Sequence, residues 1–188
     1  HHWRRKIRWN KQYKQGRWES LQSEKEAKRY ETIIRMATEF GPENPSVLDI
    51  GSGDGVLTER FGADRYGYFL GVDFSKVSIE KAKAKNLKNA EFETADAITF
   101  QPKQKFDVIV FNEAFYYIHD SEKQNVLDRM LNSLTERGII ITSIYREGHG
   151  CWEYFKENEN LNELAFETVT TDEKLRYWKI GAYVVSSG

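Results

Sequence analysis

Asp49, Asp73, Asp96 and Glu113 share one kind of position: each stands at or just past the end of a short apolar run. Carboxylates so placed can accept hydroxyl protons, hold a cation or move a proton. Asp49 leads into Gly51-Ser52-Gly53-Asp54-Gly55, and a glycine loop between a strand and a helix brings backbone N–H groups and a helix N-terminus close to a ligand. Two large ligand classes use that arrangement. A dinucleotide rests its pyrophosphate on G-x-G-x-x-G; here Val56 takes the place of the third glycine, and Asp49 and Asp54 would repel a double anion. The same acids favour a ligand with an ammonium and a sulfonium, as S-adenosylmethionine has.

Asp73, in "LGVDFS", lies where a carboxylate can accept both ribose hydroxyls of a nucleoside. That placement alone does not separate a nicotinamide dinucleotide from S-adenosylmethionine. Asp96 and Ala97, in "TADAI", stand where an adenine amino group would be met, and Phe74 can pack on the adenine face. Asp73 and Asp96 each have an alternative role as helix caps, but their joint placement after consecutive strands points to the crevice of a parallel sheet. "FNEAFYYIHD" carries the remaining candidates. Glu113 can hold a ligand ammonium or act as base. Tyr117 and Tyr116 either face a substrate or pack on the sheet with wet hydroxyls. His119 has a suitable side chain for a base, although it directly precedes a helix. Tyr145 and His149, in "SIYREGHG", are weaker candidates on the same rim, and no histidine spacing supports a metal site.

These residues need a particular scaffold. "SVLDI", "YFLGVDF", "FDVIVFN" and "GIIITSIY" are continuously apolar, as strands buried on both faces of a parallel sheet are. "AEFETADAI" supplies a weaker third strand. Helices are expected after the glycine loop (Leu57, Phe61), from Ser75 to about Lys85, and from a Ser121–Gln124 capping box to a stop at Gly138. Ahead of them, Ser23 and Glu26 form another capping box, Ala27, Tyr30, Ile34 and Ala37 recur at helical spacing, and Gly41-Pro42 ends the run. "LAFETVTTDEKLRYWKIGAYVV" reads as an antiparallel hairpin on the sheet edge. The alternation defines an α/β, Rossmann-like three-layer sandwich, with 1–188 as a single domain.

The 188 residues suffice for one well-buried domain, and a net charge of −1 offers no global field for nucleic acid or membrane. One cysteine permits no internal disulfide, which fits a cytoplasmic protein. Residues 1–18 are different: seven cations, no acid, and Trp3, Trp9, Tyr13 and Trp18. Such an arm can close as a lid over a cofactor, with Tyr13 and Trp18 against it, dock on phosphates and bases, or remain a solvated amphipathic segment.

"VLDIGSGDG", "GVDFS", "ADA" and "FDVIVFNEAFYYI" together resemble the successive motifs of class I S-adenosylmethionine-dependent methyltransferases. The resemblance runs from about Tyr30 to the C-terminus. It implies a seven-stranded, mostly parallel sheet of order 3-2-1-4-5-7-6 with an antiparallel C-terminal hairpin. It implies cofactor contacts from Asp49, Gly51, Ser52, Gly53, Asp73, Phe74, Asp96, Ala97 and Asn112, and Arg29 pairing the methionine carboxylate. The stretch after the fourth strand reads N-E-A-F and not [DNS]-P-P-[YFW], which disfavours methylation of exocyclic base amines. The resulting expectation is methyl transfer to O or N of a small molecule or saccharide by a monomer or homodimer, with no membrane and no metal. An RNA or protein methyltransferase docking through the arm, a cofactor-binding protein without turnover, and an NAD-dependent oxidoreductase are the alternatives.

Overall fold

The computed structural model describes residues 24–173 and 175–187; Tyr13, Trp18, the arm and Ser23 lie outside them. Seven strands form one sheet: β1 (Ser46–Ile50), β2 (Tyr68–Asp73), β3 (Ala90–Thr94), β4 (Phe106–Asn112), β5 (Leu134–Tyr145), β6 (Leu161–Thr170) and β7 (Tyr177–Val185). Their order is β3-β2-β1-β4-β5-β7-β6, as the resemblance implies. The first five pair in parallel, and β7 runs antiparallel between β5 and β6.

Side chains alternate across a strand, so each apolar run feeds two cores. Val47, Val108, Val110, Ile139 and Ile141 face α1 (Glu24–Phe40) and α2 (Val56–Phe61). Leu48, Ile50, Ile109, Phe111 and Ile140 face α4 (Asp120–Leu131) and α5 (Glu153–Lys156). Each such side chain withdrawn from water stabilises the fold by roughly 1.5–3 kcal/mol. α3 (Lys76–Ala84) covers the β2–β3 edge through Ile79 and Ala82 against Phe92. α1 ends as its sequence requires: the Gly41 amide closes on the Ala37 carbonyl at 2.9 Å, and Pro42 follows.

Two expected boundaries move. α4 begins two residues earlier than a Ser121 cap requires, because His119 is the N-cap and its Nδ1 accepts the Ser121 amide at 3.2 Å. Gln124 does not close a capping box; its amide donates to Asp128 at 2.9 Å. Gly138 does not stop α4, which ends at Leu131. It lies inside β5, beside the register shift against β4, where a Cβ would stand 3.0 Å from both Leu134 Cβ and the Thr135 nitrogen.

Candidate functional site

β1, β2 and β4 end together, and the loops that leave them build the site. The glycine loop after β1 takes a left-handed course, with φ of 86° at Gly51, 56° at Gly53 and 86° at Gly55. Four of its amides are engaged within the chain. Gly51 and Ser52 both donate to the Val72 carbonyl (2.8 and 3.0 Å), Gly55 donates to the Ser52 carbonyl (3.1 Å), and Gly53 donates to the Asp73 carboxylate (2.9 Å). The expected cradle of free N–H groups is thus replaced by a loop stapled to the end of β2. The helix that follows is only six residues long, too short to add much field.

Asp73 is buried, and its second oxygen accepts the Ser75 amide at 2.8 Å. Two backbone donors favour the ionised carboxylate and fix its plane. Beside it opens a cleft enclosing about 540 Å³, solvent at its mouth included. Phe74, Ala97 and Ile98 give it an apolar wall, Gly51 and Asp73 one side, and Asn112, Glu113 and Tyr117 the other. Gly51 is required here for room as well as for φ: a Cβ would stand 2.8 Å from the Asn112 carbonyl oxygen and from Ala114 Cβ.

A polar layer lies under α1 at the same strand ends. Arg29, buried, donates from Nε to Glu26 at 2.9 Å and from Nη1 to Asn112 Oδ1 at 2.6 Å and Ser143 Oγ at 3.4 Å. The Asn112 amide reaches Asp49 Oδ2 at 3.5 Å, while Asp49 Oδ1 is buried with no hydrogen-bond partner among the described residues. Burial pushes the Asp49 carboxyl up to about 7, against the pull of Asn112 and Arg29. Glu113, at a left-handed φ of 53°, accepts Tyr116 on one oxygen (2.8 Å) and Ser143 on the other (2.7 Å). Burial also pushes Glu113 up to about 7, opposed by Arg29, Ser143 and Tyr116. A non-glycine residue held at such φ costs roughly 1–3 kcal/mol and recurs where geometry serves function.

Of the residues singled out in the sequence, Gly51, Asp73, Phe74, Ala97, Asn112, Glu113 and Tyr117 line the cleft. Ser52 and Gly53 lie behind Asp73 in the stapled loop, and Arg29 and Asp49 lie behind Asn112. Asp96 accepts the Ile98 amide at 2.9 Å and lines the adjoining groove with Tyr68 and Thr99. His119 is exposed, its Nδ1 engaged by Ser121, and is not among the residues lining the cleft. His149 is exposed in the turn Gly148–Gly150, and the Tyr145 hydroxyl lies 3.4 Å from the Leu175 carbonyl. Ser143 and the ion-paired Glu26 escaped the sequence reading. Ser143 announces itself only as a polar residue inside "GIIITSIY", and Glu26 was read as part of a cap.

A mostly parallel sheet with a stapled glycine loop and a cleft bordered by Asp73 and Glu113 defines a class, and comparison with known proteins names it. Residues 42–182 match the family model described as "Methyltransferase domain", and the chain belongs to that family. Among characterised relatives it is similar to the ubiquinone biosynthesis O-methyltransferase of Pelagibacter ubique, 37% identical over 147 residues that cover 75% of this chain and 54% of that protein. It is also similar to the malonyl-[acyl-carrier protein] O-methyltransferase of Bacillus anthracis, 27% identical over 61% of this chain and 45% of that protein. The chain thus spans about half the length of these curated relatives. In fold it is similar to the N-methyltransferase NodS of Bradyrhizobium japonicum WM9 solved with S-adenosyl-L-homocysteine: TM-score 0.75, 18% identity, 88% of this chain and 89% of that one.

Proposed function

We propose that this chain binds S-adenosylmethionine and transfers its methyl group to an oxygen or nitrogen of a small molecule or saccharide, in the cytoplasm. The observation that carries the reading is the stapled loop. Its Gly51, Ser52, Gly53 and Gly55 amides are already spent, so a pyrophosphate would meet carboxylates and few donors. A neutral nucleoside with a cationic tail meets the opposite: an apolar wall, Asp73 for ribose hydroxyls, and Asn112 and Glu113 at the far end, with Asp49 behind Asn112. The unpartnered Asp49 Oδ1 and the acid-rich donor set fit a ligand bearing an ammonium.

When bound, the cofactor supplies a methyl group already activated by its positive sulfur. The chain's own residues have three tasks. Asp73, Phe74 and Ala97 hold the nucleoside. Arg29 fixes the Asn112 side chain and adds positive charge for the ligand carboxylate, Glu113 takes the ammonium, and Asp49, behind Asn112, adds negative charge. Tyr117 borders the acceptor side, where alignment and exclusion of water contribute most to the rate. The relatives named above are O- and N-methyltransferases, which supports either acceptor atom.

Calorimetry with S-adenosylhomocysteine, S-adenosylmethionine and NAD tests the cofactor, with Kd in the micromolar range, about −8 kcal/mol, expected for the first two. Release of S-adenosylhomocysteine across a panel of small acceptors then tests turnover. Tighter binding of NAD than of S-adenosylmethionine sinks the proposal. Activity on RNA that falls steeply with salt would move the acceptor to the macromolecular alternative favoured by the basic residues 1–18.

A further inference from the structure

Ser143 is fully buried in β5 and meets Glu113 twice: its carbonyl accepts the Glu113 amide at 3.1 Å and its Oγ lies 2.7 Å from Glu113 Oε2. Arg29 approaches the same Oγ from behind, at 3.4 Å. A serine hydroxyl has one proton. Because the guanidinium can only donate, the hydroxyl proton is directed onto Glu113. Tyr116 donates to the other carboxylate oxygen at 2.8 Å. Both Glu113 oxygens therefore receive a donor, and a proton on either would displace Ser143 or Tyr116.

We infer that Ser143 and Tyr116 are positioning residues that favour the ionised form of Glu113 and fix its carboxylate at the cleft, making Glu113 an anchor for a ligand cation and not the base of the reaction. The inference rests on the cofactor reading above. It also accounts for the left-handed backbone of Glu113, which brings the carboxylate back over β5 instead of out along the loop. The charged groups that act on Glu113 are Arg29, which favours its ionised form, and Glu26, which opposes it, both from α1. Burial favours the neutral form of Glu113; the Arg29 charge opposes it first, and the Ser143 and Tyr116 hydroxyl donors add to that pull.

The test is the affinity for S-adenosylhomocysteine, which carries the ammonium but cannot react, measured by calorimetry from pH 5.5 to 8.5. In the wild type, affinity should fall as pH drops and a proton replaces the ligand cation on Glu113. Ser143→Ala removes one donor with little change in volume, and its acidic limb should move about one pH unit upward, a roughly tenfold loss of affinity on the acid side of the limb with near-normal affinity at pH 8.5. Tyr116→Phe should move the limb the same way, and Ser143→Thr should restore it. In a Glu113→Gln background, Ser143→Ala should move nothing. A limb unmoved in both single variants, with affinity at high pH intact, overturns the inference. So does an equal shift in the Glu113→Gln background, which would assign the limb to Asp49. Absence of S-adenosylhomocysteine binding by the wild type at every pH overturns the cofactor reading itself, a result distinguishable from the other two.

Discussion

The Asp73 carboxylate at the end of β2 accepts the Gly53 amide of the loop that leaves β1. One side chain thus joins two strand ends and closes the glycine loop before any ligand arrives. Asp73→Ala should therefore show two losses. Affinity for S-adenosylhomocysteine should fall by about 1.5–3 kcal/mol, the range for hydrogen bonds to a charged group. The ligand-free protein should also lose stability in urea, because the Gly53 and Ser75 amides are left without acceptors. A variant that lost affinity alone would show that the staple is dispensable.

Gly51 and Gly150 separate crowding from backbone conformation. Both have φ near +86° (86° and 85°), but a Cβ on Gly51 meets the Asn112 carbonyl oxygen and Ala114 at 2.8 Å, whereas one on Gly150 meets nothing within 4 Å. Gly150→Ala should cost about 1–2 kcal/mol from the left-handed φ alone. Gly51→Ala should cost clearly more and close the cleft mouth, measurable as a larger drop in urea midpoint with loss of ligand binding. Equal midpoints for the two variants would refute the crowding argument.

Asp49 and Glu113 give the free and bound proteins opposite pH trends. Both are raised by burial from the ordinary carboxylate range, about 4, up to about 7. Between those limits the folded protein binds more protons than the unfolded chain, so these two groups make stability fall as pH rises from about 4 to 7. Ligand cation binding needs the same groups ionised and should strengthen over that range. Thermal melts of the wild type against Asp49→Asn check the first trend, which the variant should flatten.

His119 serves α4. His119→Ala should cost about 1 kcal/mol of stability, as loss of an N-cap does, and His119→Asn should recover most of it. Neither variant should remove a limb from the pH–rate profile of methyl transfer. A lost limb near neutral pH in His119→Ala, with the fold intact, would make this imidazole the base.

How much of this was legible in the sequence depended on whether a signal was local. β1 and β4 run over the stretches their apolar runs mark, because strands buried on both faces leave no polar interruption to blur their ends. The sheet order followed from the motifs' resemblance to a known family, not from the strands' own composition. Asp73 was legible as a residue of the cleft because it ends an apolar run; that it also ties down Gly53 was not, since nothing in either segment records which strand lies beside it. The glycine loop misled for the same reason: its N–H groups are free in the sequence and spent once Val72 is adjacent. Ser143 depends on Arg29, 114 positions away, and no periodicity carries that information. His119 was ambiguous because histidine caps and histidine bases occupy the same sort of place, ahead of a helix.

α1 packs against β5, β6 and β7, the last strands of the chain. This has a consequence for synthesis and refolding. The nucleoside half of the cleft draws on β1, β2 and β3, short-range neighbours that can assemble while the ribosome is still making the rest. The Arg29 guanidinium, by contrast, receives Asn112 after 83 further residues and Ser143 after 114, and β6 and β7, against which its helix also packs, are made later still. Until Asn112 and Ser143 are made, Arg29 lacks these two acceptors. The Asp73 side of the cleft is thus early and local, whereas the Asn112–Glu113 side, with Arg29 and Ser143 behind it, is late and spans nearly the whole fold. Recognition can precede competence in the life of each molecule.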